Sequence, residues 1–115
     1  MLFRRYKAEK VVNHKVHLKI HQMYGKQILS CCDSELLGKT FTEGKCCLQV
    51  TDSFYKGTEI SIEDACDIIA ENLGNMDSIQ IIGEHIIDYL HERDVISKDG
   101  ARRVRGIPHV MFIHM

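Results

Sequence analysis

The sequence predicts an α+β domain: a two-layer α/β sandwich, with a mixed or mostly antiparallel sheet and two helices on one face. Three observations carry this. Val16, Leu18 and Ile20 alternate with His17, Lys19 and His21, the period of a half-buried strand. Residues 62–73 and 84–93 place apolar side chains at helical spacing on one face only. The remaining short apolar runs give the order β-β-(short turn)-β-α-β-α-β-β, with strands grouped in runs as an α+β fold requires.

Each element has a local reason. Tyr24-Gly25-Lys26 supplies a turn after the first strand, and QILSCC (27–32) returns as the second. Its almost unbroken apolar run suits a central position. Asp33 then opens a single helical turn, as its N-cap, and Gly38 closes it in the left-handed region. Residues 40–44 lead to a turn at Glu43-Gly44, CCLQV (46–50) forms a third strand, and TDSFYKG (51–57) is a turn-rich connection anchored by Phe54 and Tyr55.

Ser61 and Asp64 make a capping box for the helix at 62–73, whose stripe is Ile62, Ala65, Cys66, Ile69 and Leu73. Gly74 stops it. SIQII (78–82) is a β-branched strand bounded by Gly83. Helix 84–93 turns Ile86, Ile87 and Leu90 inward and Glu84, His85, Asp88, His91 and Glu92 outward. After the Lys98-Asp99-Gly100 turn come two last strands, 102–105 and 109–114, with Pro108 at the entry of the second.

A chain of 115 residues, 44% hydrophobic and 27% charged, holds one core and is not a disordered chain. We read a single domain over 15–115 preceded by a basic extension, residues 1–14. No apolar run reaches the ~18–20 residues of a membrane span, and the start, MLFRRYKAEK, has no signal-peptide core. Five cysteines without framework spacing point to a reducing, cytoplasmic setting, with the thiols as small buried hydrophobes. The net charge of −1 is unevenly spread: residues 1–26 sum to +6, 27–58 to −1, 59–99 to −9 and 100–115 to +3. Blocks of this kind suggest a basic surface opposed to an acidic one.

Spacing argues against most chemistry. His17 and His21 would stand about 13 Å apart on a strand, too far for one ion, and adjacent cysteines point to opposite faces. Neither a metal nor a cofactor is expected. No cysteine has a nucleophile signature, and Asp33 beside Cys32 would hinder thiolate formation. Gly38-Lys39-Thr40 echoes the end of a phosphate loop, but the leading glycine is replaced by Asp33. His109, after Gly106-Ile107-Pro108, reads as a hydrogen-bonded turn residue with the capacity of a base or ligand.

The cations carry the strongest pointer. Lys15 and Lys19 line the outer face of the first strand. On a strand at 102–105, Arg103 and Arg105 face one side and Arg102 the other. A surface joining these five would suit RNA phosphates, with Arg4, Arg5, Lys7 and Lys10 nearby in sequence and Tyr6 and Tyr24 for stacking. Phe41, Phe54, Tyr55 and Phe112 read as core.

CDSELLGKTFTEG (32–44), LQV with FYKG (48–57), IIGEHII (81–87) and GIPHVMFI (106–113) together resemble the archaeal family called domain of unknown function 424. The matching positions are Asp33, Glu35, Gly38, Lys39, Thr40, Phe54, Tyr55, Gly83, Glu84, Pro108 and His109. Residues 1–14 and both cysteine pairs depart from the pattern. The resemblance implies a small cytoplasmic α/β protein without an established activity, a companion of translation and RNA metabolism more than an enzyme. It marks Asp33, Lys39, Thr40, Glu84 and His109 as the polar motif positions. Three functional readings follow: a non-catalytic module for RNA or ribonucleoprotein; a ligand or enzyme pocket gathering Asp33, Lys39, Glu84 and His109; and a protein–protein adaptor using the acidic helical face of 63–92.

Overall fold

A computed structural model describes residues 14–114. The expected basic extension therefore lies outside the described residues apart from His14, as does Tyr6.

The first two strands, β1 (Lys15–Met23) and β2 (Lys26–Asp33), form the hairpin that the alternation predicts. Tyr24 and Gly25, both at positive φ, turn the chain between them. A short 3-10 helix (Ser34–Leu36) follows, and Gly38 exits it at φ +83°. Next come β3 (Thr40–Glu43) and β4 (Cys46–Gln49), which pair as a separate two-stranded sheet. The four-residue helix α1 (Asp52–Tyr55) occupies the connection read as turns, and β5 (Thr58–Ser61) follows it. The helices α2 (Ile62–Asn72) and α3 (Glu84–Glu92) flank β6 (Ser78–Ile82). After a 3-10 turn at Lys98–Gly100, β7 (Arg102–Val104) and β8 (Ile107–Ile113) complete the chain.

The main sheet has the order β5-β1-β2-β6-β8-β7. Only β2 and β6 run parallel; the other pairs are antiparallel. This is the mixed, mostly antiparallel α+β sheet that the sequence predicts. The two long helices share one face. There Val16, Leu18, Leu29, Cys31, Ile81 and Val110 of the sheet meet Ile62, Ala65, Ile69, Ile86 and Leu90 of the helices. The Ser61 hydroxyl accepts from the Asp64 amide at 3.1 Å, closing the predicted capping box.

The opposite face is not left open. The β3–β4 hairpin and α1 bury Leu48, Val50 and Tyr55 against Cys32, Ile82 and Val104. Ser30 on β2 donates to the Phe54 carbonyl at 2.7 Å, which pins α1 to the sheet. Double coverage explains why Cys31 and Cys32 are both fully buried although they point to opposite faces.

Five side chains expected in the core are corrected. Ile20 and Phe112, near the ends of β1 and β8, and Leu73, at the C-terminus of α2, are exposed. Cys46 and Cys47 lie exposed at the hairpin tip, so only Cys31, Cys32 and Cys66 act as buried hydrophobes.

Candidate functional site

The parallel register of β2 and β6 sets Cys32 beside Ile82, so the next residues, Asp33 and Gly83, leave the sheet at the same end. Gly83 carries the chain straight into α3. It sits at φ +132°, and a Cβ there would run into the Asp33 carboxyl group. The Asp33 side chain accepts from the amides of His85 at 3.0 Å and Ile86 at 3.1 Å, two of the unpaired donors of the α3 N-terminus. Asp33 makes no side-chain bond to the 3-10 helix that follows it. Its expected role as a local cap is thus corrected: it caps a helix that begins fifty residues further on. Burial pushes its carboxyl up to about 7, against the opposing pull of the two amides.

Three further side chains gather beside this cap. The His85 Nε2 lies 3.2 Å from a Glu35 carboxylate oxygen. The His14 ring stacks on the His85 ring, with centroids 3.6 Å apart and planes 16° off parallel. One donor atom from each of His14, Glu35 and His85 lies within 4.8 Å of the others. The β1–β2 register accounts for the meeting: Val16 pairs with Asp33, and carrying that pairing two residues outward sets His14 opposite Glu35. Spacing arguments confined to single segments missed this group, because its members come from three segments. Counting the hairpin register outward from its turn is the signal that could have found it.

The other motif residues are dispersed. Glu84, the first residue of α3, pairs with Arg103 at 3.1 Å. His109 lies on the last strand, as expected, within β8 opposite Ile82 and Arg102, and its reading as a hydrogen-bonded turn residue is corrected. Its Nε2 is buried without a hydrogen-bond partner among the described residues, and burial followed by the Arg102 charge holds its pKa below the ordinary histidine value. Lys39 sits before β3; its backbone bonds to Leu36 and Val50 while its side chain is exposed. Thr40 is exposed on β3. Asp33 and Glu84 therefore meet at one helix end, while Lys39 belongs to the hairpin layer and does not join them.

The five cations expected at an RNA surface divide between two faces. Lys15 and Lys19 share the hairpin-side face of β1 with His17, whose partner Cys32 belongs to that core. Arg102 shares this face through its pairing with His109, but β2, β6 and β8 stand between it and β1. Arg103 points to the helix side, where Glu84 and the Gly106 carbonyl hold its guanidinium. Arg105 is not on a strand with Arg103; it lies in the β7–β8 turn at φ +55°, its amide donating to Glu43. The expected pairing of Arg103 with Arg105 on one side is corrected accordingly. Lys19 reaches the Ser53 carbonyl at 2.8 Å.

A family profile described as "Protein of unknown function (DUF424)" matches residues 20–115. The crystal structure of an uncharacterized conserved protein from Methanopyrus kandleri has a similar fold, with a TM-score of 0.72 and 24% identity over 85% of this chain and 90% of that one. No curated protein matches the chain.

Proposed function

This chain belongs to the DUF424 family, and we propose that it serves as a small non-catalytic binding module for RNA or ribonucleoprotein, working in translation or RNA metabolism. The surface proposed is the hairpin side of the sheet. The observation that carries the reading is the sorting of charge between the two layers. Helices α2 and α3 hold seven Asp and Glu residues and no Lys or Arg. On the hairpin side, the exposed side chains of Lys15, Lys39, Lys45, Lys56, Arg102 and Arg105 form no ion pair among the described residues. Glu43, Asp52 and Glu59 lie on the same side, but the cations outnumber them. A net cationic face backed by an acidic layer orients a protein toward a polyanion.

Tyr24, 99% exposed at the β1–β2 tip, adds a ring on which a base can stack. Arg103 drops out of the contact set, because its charge is answered by Glu84. The buried, raised thiols of Cys31 and Cys32 argue against a cysteine nucleophile. The test is recovery of RNA on the immobilised chain from native lysate, with and without ribonuclease. RNA retained without the nuclease and lost with it supports the reading. Association that survives nuclease, with no RNA recovered, contradicts it.

A further inference from the structure

We propose that His14, Glu35 and His85 form a binding site for a divalent transition-metal ion of the Zn2+ class, through two imidazole nitrogens and one carboxylate oxygen, with a position left open to water or a small anion. The donor set is the first argument. Two imidazoles and a carboxylate suit Zn2+ and its neighbours, and do not suit the all-oxygen preference of Ca2+ or Mg2+.

Geometry is the second. Ligand atoms about 2.0–2.1 Å from a tetrahedral ion stand about 3.3 Å from one another. His85 Nε2 and the Glu35 oxygen are already 3.2 Å apart. The His14 ring lies against His85, and the three donor atoms fall within 4.8 Å of one another. In the stack the two rings aim their in-plane lone pairs side by side, so the half-buried His14 ring must turn out of the stack toward the ion to complete the set.

The third argument is how firmly the ligands are held. Asp33 bonds to the backbone of His85 and sits two residues before Glu35, so one side chain ties together the segments that carry two of the ligands. The Val16–Asp33 pairing fixes the strand from which His14 extends. Such support around the ligands is what a metal site needs. The site is separate from the cationic hairpin face and does not depend on the RNA reading.

The test titrates the full chain with Co2+, followed by its visible d–d absorption, and with Zn2+ by calorimetry. One equivalent should bind. His85→Gln and Glu35→Gln should each weaken binding by at least about tenfold. His17→Gln and the double variant Cys46→Ser/Cys47→Ser should leave it unchanged. Glu35 is exposed, so Glu35→Gln decides the matter even if another variant fails to fold. The proposal is overturned by the absence of stoichiometric binding, by binding that persists in Glu35→Gln, or by binding that the cysteine variant abolishes.

Discussion

The Asp33 carboxylate lies directly over Gly83, filling the space that any side chain at that position would need. This relationship locks the end of β2 to the start of α3. Replacing Asp33 with Ala leaves the His85 and Ile86 amides without their acceptor. The expected loss is about 1–3 kcal/mol, read by urea denaturation. Gly83→Ala meets both the positive φ and the carboxyl group, and should cost at least as much. Asp33→Asn keeps one acceptor and should be milder than Asp33→Ala.

Capping rules are local, and they direct Asp33 to the turn that follows it. The true partner is 52 residues away and becomes visible only once β2 and β6 are known to be parallel neighbours. The β1–β2 hairpin and both long helices were legible because their apolar periods run over seven or more residues. β5 and β3 were not. Each spans four residues, and neither buries a side chain fully enough to print a period. Within the site, Asp33 and Glu84 stood out as motif residues. His14 and His85 did not, since a histidine on an exposed helix face or before a strand carries no spacing signal of its own.

His109 gives stability a pH dependence of known sign. Burial and Arg102 hold its folded pKa below 6.5, so the fold favours the neutral ring. Its contribution is fully present above pH 6.5 and is lost as pH falls through the lowered folded value. Asp33, raised to about 7, works the other way, gaining stability as pH falls. The His109 component is therefore read as the difference between wild type and variant: the wild-type midpoint should fall relative to that of His109→Gln between pH 7.5 and pH 5. A difference that stays constant across that range would remove His109 as its source.

Thiol reactivity should divide the five cysteines into two and three. Cys46 and Cys47 are exposed and should react with a disulfide reagent in the native protein. Cys31, Cys32 and Cys66 are buried, and burial raises all three thiols, Cys32 to about 12. They should react only after unfolding. Titration with and without denaturant reads both numbers directly.

The most direct test of the proposed role is the affinity of the chain for single-stranded RNA, measured as salt is raised. The account predicts a linear fall of log affinity with log salt. Arg102→Ala and Arg105→Ala should each lower the slope by about 0.7, while Arg103→Ala, whose charge Glu84 already answers, should leave it unchanged. An affinity indifferent to salt, or one that Arg103→Ala alters as much as the other two variants, would contradict the assignment of the hairpin face.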